Sequence, residues 1–208
     1  MPGLPNIAIA GATGFVGRAW CDTFRDRYRI VGLSRGGREP APGRGPHEWR
    51  QCDLFSLLQV ETALVGVDVA VYLVHSMMPT DRLTQASFAE LDLILADNFG
   101  RAAARQGVRR IVYLGGLIPQ SVDSLSRHLA SRLEVEAALA AHGVPVTTLR
   151  AGLVVGAQGS SFRIVQEAGR APARDAVPSN AGRKSQADLR HNMDMYQDHS
   201  NFFAVRGD

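Results

Sequence analysis

The sequence predicts a three-layer α/β domain built on a doubly wound parallel sheet. Short apolar strands alternate with helix-period segments through most of the 208 residues, the pattern of a parallel sheet covered by helices. The first strand runs directly into three glycines spaced three apart, in "IAIAGATGFVG" at residues 7–17. An apolar content of 45% over this length supplies one domain with a real core.

Each element follows from local pattern. "NIAIA" (6–10) is the first strand and "FVGRAWCDTFRDR" (15–27) the first helix. "RIVGLS" (29–34) is a second strand, and "RGGREPAPGRGP" (35–46) is too rich in Gly, Pro and Arg for regular structure. "EWRQCDL" (48–54) reads as a weaker strand before the helix "FSLLQVETAL" (55–64), and "VDVAVYLVH" (67–75) as the clearest buried strand. A long helix over 81–107 carries apolar Leu91, Ile94, Leu95 and Phe99 and ends at Gly107 as C-cap. "RRIVYLGG" (109–116), "LSRHLASRLEVEAALAAHG" (125–143) and "VPVTTLRAGLVVG" (144–156) complete the alternation. Beyond about residue 168 the apolar periodicity stops, which divides the chain into a binding domain at 1–168 and an irregular tail at 169–208.

The glycines carry the first functional statement. A strand ending in G-x-x-G-x-x-G and feeding a helix is a phosphate site. Gly11 permits the tight turn, Gly14 lets a diphosphate approach the backbone, and Gly17 lets helix pack on strand. The bare amides of Gly11, Thr13, Gly14, Phe15, Val16 and Gly17, with the helix dipole, face the anion. The second strand then selects the dinucleotide. An NAD site carries a carboxylate about 20 residues beyond the glycines, to accept from the ribose 2′-OH. This chain has Ser34, Arg35 and Arg38 there, with no acid until Glu39. Arginine cannot accept that bond but pairs with a 2′-phosphate, so the expected cofactor is NADP rather than NAD.

These residues, with "CDL" at 52–54, "VYLVHSM" at 71–77 and "GVPVTTLRAGLVVG" at 143–156, resemble the atypical short-chain dehydrogenase/reductase proteins, the NmrA-like or NAD(P)H-binding Rossmann group, over about residues 5–167. The resemblance implies that Asp53 and Leu54 lie by the adenine. It also implies that Val74, His75 and Ser76 run beside the ribose and nicotinamide.

The resemblance further implies a catalytic Tyr-x-x-x-Lys pair on the helix after the fifth strand, with a Ser or Thr at that strand's end. Neither is present. Lys184 is the only lysine, Asn180 stands four residues before it, and the strand ends in Gly115 and Gly116. His128 and Arg132 occupy the same i,i+4 interval on the expected helix. A histidine can move a proton near neutral pH and an arginine can hold a ribose or phosphate, so this pair is the catalytic candidate. A solvated helix face is the competing reading of the two residues. Two functions follow: an NADP-dependent oxidoreductase acting on a small organic substrate, or a non-catalytic NADP sensor that regulates a protein partner.

Other classes lose support. Cys21 and Cys52 have no metal spacing and read as reduced, packed thiols. A net charge of +3 without basic–aromatic interleaving argues against nucleic acid. No apolar run approaches the roughly 18 residues that span a bilayer. "MPGLPN" lacks a secretory pattern, which points to the cytoplasm. By the resemblance, the chain should continue past "SFRIVQ" into substrate-side structure, where "EAGRAPARDAVP" stands instead. We hypothesise a shift of reading frame near residue 167; a neighbouring frame of the coding DNA without an apolar, periodic continuation would end that idea. The rival reading is a tail that orders on a partner.

Overall fold

The computed structural model describes residues 4–74, 88–117, 127–152 and 154; the side chains at 88, 89, 127 and 128 are outside that description. Its strands are β1 (Asn6–Ala10), β2 (Arg29–Ser34), β3 (Glu48–Gln51), β4 (Val69–Tyr72), β5 (Arg110–Gly116) and β6 (Val146–Ala151). Its helices are α1 (Phe15–Phe24), α2 (Leu57–Ala63), α3 (Phe88–Arg105) and α4 (Arg127–Ala140). The sheet has six strands in the order β3-β2-β1-β4-β5-β6, and the β1–β2, β1–β4, β2–β3 and β4–β5 pairings are parallel. This is the doubly wound Rossmann order, in which the winding reverses between β1 and β4.

Two-residue alternation sorts the strand side chains into two cores, one on each face of the sheet. Ala8, Ala10, Val31, Leu33, Ala70, Tyr72, Ile111 and Tyr113 point to the face covered by α2, α3 and α4. Ile7, Ile9, Ile30 and Val71 point to the opposite face, where Cys21 of α1 packs on them. Three helices therefore meet a strand surface of alanines, branched aliphatics and tyrosines, and one helix meets a surface of isoleucines and valine. Asp68 ties the strand starts together: its carboxylate accepts from the Asn6 amide at 2.8 Å and from Arg109 at 3.0 Å.

Several boundaries differ from the sequence reading. β3 stops at Gln51 because Asp53 opens a turn, its Oδ1 accepting from the Phe55 amide at 3.1 Å. α1 ends at Phe24 rather than at residue 27. In α3 the buried stripe is Asp92, Leu95, Ala96, Phe99, Ala102 and Ala103, whereas Ile94 is exposed. Small residues prevail in that stripe because α4 lies close: a Cβ on Gly100 would come within 2.8 Å of the Leu139 carbonyl oxygen. Gly107 has the expected left-handed conformation, with φ +69°. The compact unit that holds the sheet ends at Arg150. A second unit begins at Ala151, of which residues 151, 152 and 154 are described. The tail at 169–208 lies outside the described residues.

Candidate cofactor site

Strand register brings the sequence-predicted residues to one edge. Ala10 pairs with both Leu33 and Tyr72, so Gly11, Ser34 and Leu73 leave their strands side by side. The Cys52 amide donates to the Ser34 carbonyl at 2.9 Å, which adds Asp53 to the row. This row is the carboxyl edge of the sheet at its topological switch point, the usual crevice for a ligand in such sheets.

The glycine loop has the shape of an anion cradle. Gly11 has φ +90°, a left-handed backbone that disfavours any side chain. Its carbonyl accepts from the Gly14 amide at 2.9 Å, closing the turn into α1. A Cβ on Gly17 would lie 2.2 Å from the Gly11 carbonyl oxygen, so only a glycine lets α1 approach β1 this closely. Gly14 is exposed and caps α1 without a side-chain hydrogen bond. The first-turn amides of a helix have no partner within it; among the described residues no side chain takes that place. A diphosphate fits the position that these bare backbone groups surround, and the helix dipole favours its charge.

Other candidates fall around this loop. Thr13 is partly buried in the turn, and Phe15 and Val16 form the start of α1, also partly buried. Asp53 is half-buried, and its amide donates to Gln59 Oε1 at 2.9 Å, which holds the turn after β3 in place. Leu54 is buried in the larger core, and Val74 packs against that core just past β4. His75 and Ser76 lie outside the described residues. His128 stands in the first turn of α4, with its side chain outside the description. Arg132, one turn on, is partly buried beside Tyr113, whose hydroxyl donates to the Arg132 carbonyl at 3.3 Å. Burial pushes the Tyr113 phenol up, and the cationic side chain of Arg132 partly offsets this.

The arginines after β2 are not equivalent. Arg35 is exposed, and among the described residues only its carbonyl is engaged, accepting from Gln51 Nε2 at 3.2 Å. Arg38 donates from Nε to Ser34 Oγ at 3.2 Å, and its guanidinium lies 5.5 Å from the centre of the Trp49 ring. Sequence reasoning did not assign Trp49 to the site. The available signal was Gly32 inside β2, since a strand glycine marks a close approach; a Cβ there would lie 2.6 Å from the indole.

A hollow of about 470 Å³ lined by Leu4, Asn6, Arg29 and His47 sits at the amino ends of β1 and β2, opposite the glycine loop. Cys21 and Cys52 are free and buried, as expected of packed thiols, and burial raises their pKa values to about 12 and about 11. No group of three His, Cys, Asp or Glu able to hold a metal occurs among the described residues. No helix among them is long and apolar enough to cross a membrane.

Comparison with known proteins agrees with this geometry. The family described as "NAD dependent epimerase/dehydratase family" matches residues 7–123. The auxiliary protein GraX of Staphylococcus aureus (strain NCTC 8325 / PS 47) is 31% identical over 144 residues, 69% of this chain and 43% of that protein. The chain thus spans less than half the length of this curated relative. Among solved structures, the NADPH-dependent quinone oxidoreductase QOR2 of Escherichia coli, complexed with NADPH, matches with TM-score 0.52 and 26% identity. That match covers 69% of this chain and 48% of QOR2. The Bordetella bronchiseptica enzyme WbmH in complex with NAD+ matches with TM-score 0.61 and 18% identity, over 79% and 64% of the two chains, which shows the shared fold. With a family match over more than half of its residues and a glycine cradle at the switch point of its sheet, this chain belongs to the NAD dependent epimerase/dehydratase family.

Proposed function

We propose that this chain binds NADP(H) on the carboxyl edge of its sheet and works in the cytoplasm as an oxidoreductase of the NmrA-like type on a small organic substrate. The observation that carries the reading is the contact between Gly17 and the Gly11 carbonyl, which leaves a bare amide cradle at the head of α1. The basic end of β2, Ser34-Arg35 with Arg38 and no carboxylate, favours the 2′-phosphate form over NAD. When bound at this edge, a nicotinamide cofactor would supply the hydride chemistry. His128 gives a proton to the substrate's carbonyl oxygen in reduction, or takes it from the alcohol in oxidation. Arg132, four residues on, contributes positive charge one helical turn along α4.

A second reading has its own support. Gly115 and Gly116 stand where a hydroxyl would assist, and no Tyr-x-x-x-Lys pair exists. The curated relative GraX is called an auxiliary protein. In this reading the chain senses NADP and reports it to a protein partner.

Thermal melting with each nucleotide tests binding. At a ligand concentration one hundred times Kd, stabilisation of about 2.7 kcal/mol is expected; no gain from either NADP or NAD sinks both readings. Arg35→Asp should move preference towards NAD. For catalysis, NADPH consumption is followed over a panel of carbonyl compounds. His128→Ala should abolish turnover and keep cofactor affinity, and unchanged turnover removes the assigned role. Absence of consumption with every carbonyl, alongside firm NADP binding, favours the sensor.

A further inference from the structure

We infer that Trp49 is a positioning residue for nucleotide selectivity: its indole is the platform that holds Arg38 ready for the 2′-phosphate. This rests on the nucleotide site proposed above and names the side chain that sets its preference.

The argument begins at Gly32. It faces Trp49 across the β2–β3 pairing, and a Cβ at that position would come within 2.6 Å of indole carbons and of Pro46. The missing side chain lets the indole lie against β2, where it packs on the core beneath α1. Arg38 rests over that ring at 5.5 Å and donates from Nε to Ser34 Oγ at 3.2 Å. Ring and hydroxyl thus hold the guanidinium from two directions. Its two terminal nitrogens make no hydrogen bond or ion pair among the described residues, and they are the pair that grips a phosphate. The loop that carries Arg38 is tied to α1: the Gly45 amide donates to Asp22 Oδ1 at 2.6 Å, and Arg25 donates to the Gly45 carbonyl. Ser34 ends β2 beside the glycine loop, so the held cation stands at the ribose end of the cradle. A pre-placed arginine loses less rotamer freedom on binding than an exposed one such as Arg35, whose side chain has no partner among the described residues.

The probes are 2′,5′-ADP, which carries the 2′-phosphate, and 5′-AMP, which lacks it, titrated calorimetrically against the intact chain. Trp49→Leu keeps an apolar side chain but removes the ring face, and should lower the 2′,5′-ADP to 5′-AMP affinity ratio about three- to tenfold, the range of a partly exposed cation–π contact. Trp49→Phe should restore most of the ratio. Arg38→Gln, which leaves the indole in place, should lower it at least as far as Trp49→Leu. A Trp49→Leu protein that melts normally and keeps the wild-type ratio overturns the inference. If Trp49→Leu does not fold, an unchanged ratio in Arg38→Gln overturns it instead. A wild type that binds both probes equally overturns this inference and the NADP preference, while nucleotide binding stands. A wild type that binds neither overturns the proposed site itself.

Discussion

At the scale of single residues, the glycines of the first loop carry unequal loads. Gly17 has a backbone oxygen 2.2 Å from where a Cβ would sit, so Gly17→Ala must push α1 away from β1. A cost of about 2–3 kcal/mol, typical of overpacking, is expected together with loss of nucleotide binding. Gly14 meets only the Gly11 oxygen, at 3.2 Å, and has φ −73°, which alanine adopts readily. Gly14→Ala should therefore melt close to wild type but lose the shift given by NADP or NAD. Parallel melting curves check the pair; equal thermal shifts in Gly14→Ala and wild type would move the diphosphate elsewhere. These three glycines were legible in the sequence because a bare backbone is itself a sequence signal. The difference between Arg35 and Arg38 was not, because it depends on an indole that β3 brings alongside from eleven residues further on.

At the scale of elements, the packing of α3 and α4 on β4 and β5 centres on aromatic rings. Tyr72 lies 5.1 Å from Phe99 and 6.2 Å from Tyr113, ring centre to ring centre. The Tyr72 hydroxyl is buried with no partner among the described residues, and burial pushes its pKa up. Burying a hydroxyl without a hydrogen bond is unfavourable. Tyr72→Phe keeps the ring and removes the hydroxyl, so stability should rise by about 1 kcal/mol. Chemical denaturation measures this, and a fall of similar size would mean that the hydroxyl is bonded after all. The sequence reading located this helix pair but misplaced part of the buried stripe on α3. It gave weight to the large apolar Ile94, whereas the structure buries small alanines and Asp92. Hydropathy marks which residues prefer burial; the close approach of α4 at Gly100 decides which ones fit.

At the scale of the whole molecule, one histidine couples stability to pH. His47 Nδ1 accepts from the Ile30 amide at 3.1 Å, so the fold holds the ring neutral. Burial and the nearby Arg25 and Arg29 lower its pKa below the ordinary 6.5. Below that value the unfolded chain takes the proton first, so this contribution is complete at higher pH and is lost as the solution becomes acid. Gln at this position can accept the same bond without titrating. His47→Gln should therefore lose less melting temperature than wild type between about pH 7 and pH 5; identical slopes would show that the ring does not matter to the fold.

By itself the sequence determined the alternation of strands and helices, the place of the phosphate loop and the absence of the usual Tyr–Lys pair. All three are local, written in residues adjacent along the chain or one helical turn apart. The tertiary structure alone decided that β1 sits between β2 and β4, that Ser34 and Asp53 join the glycines on one edge, and that Trp49 supports Arg38. Those facts depend on strand order and on the thickness of side chains between layers, and neither is set by any one segment.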